Sequence, residues 1–306
     1  MKSSHFARAL WFGILGALFF AFTFIFNRSM NLAGGSWMWS ASLRYLFSLP
    51  MMAVLVWQKG ELKGVLSAIA RALWTWLLWS TVGFGLFYAP LSMASIYGES
   101  WFVAATWQIT ILAGLLLTPL FGQKIPRKQL GMTLLILLGI VLIQIPYFGR
   151  GLGEGVVRAS ILILIAAFSY PLGNRKMLVH CKEEQLSTTQ RVFGMTLMSV
   201  PFWLLLSVFA GVDAGLPSGG QMLQSLIVAV FSGVIATMLF FEATNLVKHN
   251  HQQLAVVEAT QAGEVLFTLF GGCLFLGDQI PTPLGFLGVF IVIIGIVGNS
   301  LLTSSE

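Results

Sequence analysis

The sequence predicts an all-α membrane protein of ten transmembrane helices, arranged as two inverted five-helix repeats. Three observations lead there. Hydrophobic residues fill 57% of the 306 positions and charged ones 9%, with a mean hydropathy of +0.86, whereas soluble domains carry about 25% charged residues. The apolar residues gather into ten stretches close to the roughly 20 residues that cross a bilayer. The last five stretches then repeat local features of the first five in the same order.

Taken in chain order, the spans cover residues 8–26, 37–57, 74–93, 100–121, 129–147, 157–174, 191–210, 223–246, 254–276 and 283–302. The connections are too short to hold a folded extramembrane domain. Lys2 and Arg8 ahead of the first apolar run give it the outline of a signal peptide. The run continues through Phe24-Ile25-Phe26-Asn27 with no small-residue cleavage site, so it reads as an uncleaved span. Span one ends at Asn27-Arg28-Ser29-Met30 and span six at Asn174-Arg175-Lys176-Met177, an offset of 147. Arg44 in span two has a counterpart in Arg191 of span seven at the same offset. Leu86-Phe87-Tyr88 in span three matches Leu239-Phe240-Phe241 in span eight, and Val103 to Thr106 in span four matches Val257 to Thr260 in span nine. Spans four and nine leave the membrane through Gly122-Gln123-Lys124-Ile125-Pro126 and Gly277-Asp278-Gln279-Ile280-Pro281. The offsets grow in one direction only, as loop insertions make them. The repeats therefore divide as residues 1–149 and 150–306, forming one integral membrane domain. An odd number of spans per repeat inverts the second half, an architecture of secondary transporters whose substrate site lies near the midplane between the halves.

With both termini cytoplasmic, 13 of the 17 basic residues fall on the inside, three (Arg28, Arg150, Arg158) outside, and Arg44 within span two. That split follows the positive-inside rule. The net charge of +6 therefore reports topology, and the reading as a soluble nucleic-acid-binding protein fails because the basic residues form no single patch. Cys181 and Cys273 are expected at different membrane levels, which implies no disulfide. Gly285, Gly288, Gly295 and Gly298 in span ten, and Gly271-Gly272 in span nine, permit close helix approach. Pro90, Pro119, Pro171 and Pro201 lie inside or near span ends, where kinks are tolerable. Trp37, Trp39, Trp57, Trp74 and Trp101 fall at span edges and read as interfacial anchors, with Trp79, Trp107 and Trp203 deeper.

Leu43-Arg44-Tyr45-Leu46, the two Gly-to-Pro exits, and the runs Gly131…Gly139-Ile140 and Gly288…Gly295-Ile296 resemble the ten-span branch of the drug/metabolite transporter superfamily. The resemblance is closest to its multidrug resistance efflux transporter family and covers nearly the whole chain. It implies two packed five-helix repeats, alternating access and export of small molecules, often coupled to protons. The four-span relatives carry a functional glutamate in their first span; neither span one nor span six has an acid here, so that residue has no counterpart.

Span nine contains Glu258, Gln261 and Glu264. A charge near the bilayer centre costs about 2.5–3.5 kcal/mol on insertion scales and usually faces a polar interior. Glu264, near mid-span, is the first candidate for proton coupling or for pairing with a cationic substrate; the alternative is a carboxyl held by Thr260 or Gln261 for packing. Its repeat partner in span four is Thr110, and that of Glu258 is Ala104. Glu258 and Glu242, nearer the cytoplasmic edge, are further proton-coupling candidates, or shallow charges that snorkel. Glu99, at the outer edge of span four, reads as an interfacial charge. Arg44 is a candidate for an anionic substrate group or for an ion pair with Glu264 or Glu99. Trp107, Gln108, Tyr88 and Gln261, with Phe87 and Trp79, form a candidate aromatic substrate pathway, against the alternative of plain packing. His249-x-His251 has no carboxylate or thiol beside it and reads as a cytoplasmic turn, so no metal or cofactor is expected.

The expected function is secondary active export of small lipophilic or cationic molecules across the inner or plasma membrane, coupled to protons, by a monomer or homodimer. A metabolite exporter, for amino acids for example, is the second reading. A membrane-embedded enzyme is the third, and it lacks Gly-x-Ser-x-Gly, His-Glu-x-x-His and Cys-x-x-Cys motifs.

Overall fold

A computed structural model of the chain describes residues 2–122, 124–125, 127–149, 153–247 and 250–303. Gln123, Pro126, Arg150, Lys248 and His249, on which parts of the exit motif, the charge count and the His-x-His reading fall, lie outside these residues. Among the described residues every regular element is helical, and nine helical segments are long and apolar enough to cross a membrane. The first is α1 (Lys2–Leu32) and the second α2 (Trp37–Gln58). The third runs from α4 (Leu73–Ser80) through a π turn into α5 (Leu86–Ala94). The fourth expected span is the exception: α6 (Ser100–Trp107) and α7 (Ile109–Leu116) together make a shorter apolar helix, broken at Gln108. Then come α8 (Arg127–Gly149), α9 (Gly153–Glu183) and α10 (Thr188–Ala214). The next segment joins α11 (Gly219–Val228) to α12 (Thr237–Val247) through a second π stretch, Ala229–Ala236. The ninth expected span holds α13 (His251–Ala259), a 3-10 turn at Thr260–Ala262, and α14 (Gly263–Gly271). The chain closes with α15 (Pro283–Thr303).

One element was not foreseen. The connection after α2 folds into α3 (Leu62–Arg71), which buries Val65, Ala68 and Ile69 on one face and turns Arg71 to an ion pair with Glu184. The joint is extended by Lys59 Nζ donating to Thr189 Oγ1 at 2.8 Å and Ser187 Oγ donating to Glu61 at 2.8 Å.

Several local features recur in both halves of the chain. Every described residue with a positive φ follows a helix end: Gly34 after α1 and Gln185 after α9, Gly60 after α2 and Gly215 after α10, Gly122 after α7 and Gly277 after the turn that extends α14. Such left-handed positions let a helix stop and its last carbonyls find donors. The helix breaks at Gln108 and at Thr260–Ala262 also occupy comparable places in their segments. Counted from the cap residues Ser36 and Ser187, however, Arg44 lies one turn further into its helix than Arg191 does. The helix caps thus do not support the pairing of these two arginines read from the sequence.

Packing follows the same alternation. α8 pairs with α15 and α2 with α10, α1 lies against α12 and α14, and α9 lies against α5 and α7. Gly83, in the π turn, meets Gly173 of α9; a Cβ on Gly83 would stand 3.2 Å from the Gly173 Cα. This close approach brings the next turns of α5 and α9 together. α6 packs on α14 and α1, whereas α7 turns onto α8 and α9, and α13 onto α12 and α15. The two broken segments therefore meet through one half each and diverge through the other.

Candidate functional site

The breaks at Gln108 and Thr260–Ala262 place two polar side chains where the broken segments approach. Glu264 is the second residue of α14, directly after the 3-10 turn. The Gln108 amide sits beside it while its nitrogen donates to Ala104 O at 3.2 Å. Thr260 Oγ1 donates to Val257 O at 2.6 Å instead of to Glu264, which removes the Thr260 partner considered from the sequence.

Arg44 reaches the same region from α2. Its guanidinium lies 4.1 Å from the Tyr88 ring centre and 5.8 Å from that of Tyr45, and Nη2 donates to Ser232 Oγ at 3.3 Å. The π stretch in the eighth segment carries Ser232, which shares a 2.6 Å hydrogen bond with Thr23 of α1. Nη1 is buried without a hydrogen-bond partner. No carboxylate among the described residues comes within ion-pair distance of Arg44. The expected pair with Glu264 or Glu99 is not formed; Glu264 lies within electrostatic reach but is not bridged, and Glu99 instead accepts from Tyr147 OH at 2.6 Å.

Aromatic rings enclose these charges. Tyr45 stacks on Trp203 at 4.5 Å, and Tyr88, fully buried, receives Asn27 Nδ2 on its hydroxyl at 3.2 Å. Trp107 packs on Phe87 at 5.1 Å and edge-on to Tyr170 at 5.8 Å. Tyr170 is 40% exposed although Phe87 and Trp107 touch it and Arg44, Arg191 and Glu264 are its electrostatic neighbours. A side chain so surrounded and still exposed lines a cleft in the bundle. Glu264 and Arg44, both within electrostatic reach of Tyr170, are part-exposed as well.

The structure thus gathers Arg44, Tyr88, Trp107, Gln108 and Glu264, with Gln261 in the adjoining 3-10 turn. It leaves others apart. Glu242 is exposed on α12, Glu258 is part-buried on α13, and neither is among the side chains acting on Glu264. Trp79 lies under Lys176 Nζ, in a separate cluster. Tyr45, Tyr170 and Asn27 were missed as site residues. Their only signal in the sequence is polarity in an apolar span, and the facing of that polarity is decided by how α1, α2 and α9 pack.

A second polar cluster closes the end of the bundle that the basic-residue split places outside. Asp278, after span nine, accepts from Ser100 N at 2.8 Å and Ser100 Oγ at 2.5 Å and stands 3.6 Å from Arg28 Nε. Arg28 also donates to Ser95 O at 3.1 Å. Trp101, expected as an interfacial anchor, is instead buried and donates to Gln279 O at 3.0 Å. Asp278→Asn removes the charge shared by both partners; each charge-assisted hydrogen bond is worth about 1.5–3 kcal/mol. The expected result is a lower melting temperature in detergent and several-fold faster maleimide labelling of Cys273, which lies in the turn before Asp278. Unchanged labelling and melting would show that this cluster does not hold the end closed.

A bundle of membrane-length helices, in which two irregular segments meet beside an acid, a base and aromatic rings, has the architecture of a multi-pass membrane transporter. The family model EmrE, "Putative multidrug resistance efflux transporter", matches residues 7–305, and the chain belongs to that family. It is 47% identical to the "Uncharacterized protein YjlA" of Bacillus subtilis (strain 168), over 95% of this chain and 93% of that protein. It is also 42% identical to the "Uncharacterized 42.1 kDa protein in intracellular alkaline protease 3'region" of Shouchella clausii, over 84% of this chain and 70% of that protein.

Proposed function

We propose that the chain is a secondary active exporter of small lipophilic molecules across the cell membrane, driven by protons that bind and leave Glu264. The observation that carries this reading is the position of Glu264: at the break of one segment, beside Gln108 at the break of the other, and part-exposed to the cleft. Discontinuous helices in transporters place polar groups at mid-membrane where a packed helix has none. The charged groups around Glu264 are Arg44 and, through Tyr170, Arg191. Phe87, Trp107 and Tyr170 give an apolar body a wall of rings with few polar anchors.

The repeats, 1–149 and 150–306, supply the moving parts. The three pairs of left-handed helix ends and the paired breaks support two five-helix units, with α6 and α7 together as the fourth span. Alternating access then amounts to exchanging the contact of α6 on α14 for a contact of α7 on α13. A monomer contains both halves of such a site.

The test is uptake into vesicles containing the purified protein, with a pH gradient imposed and a lipophilic fluorescent dye as probe. Dye movement that follows the sign of the gradient and is absent from empty vesicles is the expected result. Movement indifferent to the gradient would leave a transporter without proton coupling.

A further inference from the structure

We infer that the substrate carries a carboxylate, or an equivalent organic anion, that seats on Arg44. This rests on the transporter reading above and names the chemical class its cleft selects. Four observations converge on it. Arg44 is held in place rather than neutralised: Ser232 takes Nη2 and the Tyr88 ring covers one face of the guanidinium. No acid among the described residues lies within ion-pair distance of it. Nη1 is buried without a hydrogen-bond partner, so this donor is satisfied only when another acceptor reaches it. The rest of the residue is part-exposed to the cleft shared with Tyr170 and Glu264.

A cationic side chain without a counter-ion deep in a membrane protein is costly and calls for a partner. The guanidinium fork suits a planar carboxylate, which takes two parallel N–H bonds that a lysine ammonium cannot reproduce. The flat stack of Tyr45 on Trp203 lies beside this edge, and Phe87, Trp107 and Tyr170 lie along the cleft toward Glu264. An apolar or aromatic body fits between the two charged ends. A cation placed there faces Arg44 at close range, so the cationic substrates expected from the sequence fit this cleft less well. The arginine also has no partner at the equivalent depth of α10, since Arg191 sits one turn shallower. Its position belongs to one half alone, as that of Glu264 does.

The test compares three probes of one shape on the purified full chain in detergent, read by tryptophan fluorescence: 3-phenylpropanoate, its amide, and the matching phenylpropyl trimethylammonium. The wild type is expected to bind the carboxylate at least about tenfold more tightly than the amide. Arg44→Gln should remove that preference. Arg44→Lys, which keeps the charge and guards against a folding defect in the first variant, should keep only part of it. Equal affinity for carboxylate and amide in the wild type, tighter binding of the ammonium probe, or a preference that survives in Arg44→Gln overturns the inference. The transporter reading is judged separately by gradient-driven flux in vesicles. Flux of the dye without carboxylate preference sinks only the anion site, and Arg44-dependent binding without flux sinks only the coupled transport.

Discussion

Glu264→Gln should abolish pH-driven substrate movement while the protein still inserts and folds. The amide keeps the size and hydrogen-bonding shape of the carboxyl, so its neighbours Gln108 and Thr268, whose hydroxyl donates to the Glu264 carbonyl at 2.7 Å, lose little. What it loses is the ability to exchange a proton. If Glu264 carries the coupling proton, gradient-driven flux should fall by at least about tenfold, equivalent to about 1.4 kcal/mol or more in the driving step, with melting in detergent unchanged. Substrate exchange between vesicles without a gradient should survive, because binding and alternation remain. Glu242→Gln is the matched control. Glu242 is exposed on α12 and does not act on Glu264, so its amide should transport like the wild type. Equal losses in both variants would mean that general acidity, not Glu264, matters. No loss in Glu264→Gln would end the coupling role outright.

The two acids illustrate what could be read before the fold was known. Both stand in apolar helices, and from the sequence each was a proton-coupling candidate. Hydropathy reports that a polar side chain is costly in a span; it does not report which way the side chain points. Direction here is set by irregular turns. The 3-10 turn before Glu264 and the break at Gln108 rotate these residues toward one another. The π stretches in the third and eighth segments change the facing of everything after them, since each adds a residue to a turn. Tyr88 was found although it follows a π turn, whereas Tyr170 and Trp101 stand in regular helices whose facing only the packing decides, and Trp101, placed at a lipid interface, is buried and donates to Gln279 O. The class of protein was plain because it depends on composition and span length, which no local turn alters. The span boundaries agree with the helices within about four residues for seven of the ten segments, while the first and sixth helices run on to Leu32 and Glu183, past the expected ends at 26 and 174. The fourth falls short because it breaks at Gln108 and changes to a 3-10 turn at Thr118–Phe121 before Gly122. The exit glycines were legible because a left-handed helix end favours Gly122 and Gly277 by chemistry, whatever surrounds them. The arginine pairing failed because an offset counts residues and a helix counts turns from its cap.

The glycines of α8 and α15 carry the second large effect, this time on stability. A Cβ on Gly139 would stand 2.7 Å from Gly288 O and 2.9 Å from Val292 N of α15. A Cβ on Gly295 would stand 3.1 Å from both Met132 O and Ile136 N of α8. The obstructing atoms are mainly backbone, so no rotamer change relieves the clash, and the helices must separate along their full contact. Small residues permit this approach where lipid supplies no hydrophobic drive between helices. Overpacking of this kind costs about 1–3 kcal/mol, so Gly139→Ala should lower the melting temperature in detergent. Gly295→Ala should do the same to a smaller degree, since its backbone contacts are longer and its nearest neighbour, Ile136 Cγ1 at 2.5 Å, is a side-chain atom that can turn away. Gly131, also in α8, meets nothing within 4 Å, and Gly131→Ala should be neutral or slightly stabilising, because alanine favours a helix by about 1 kcal/mol over glycine. Equal melting of all three variants would show that α8 and α15 do not depend on close approach. Gly139 and Gly295 hold matching places in the two runs that end in Ile140 and Ile296, and each meets a backbone carbonyl and amide of the other helix. A contact that one helix makes twice with its own counterpart is what a two-fold relation between halves requires. Loss of stability at both glycines and not at Gly131 would therefore bear on the proposed repeat as well as on the packing.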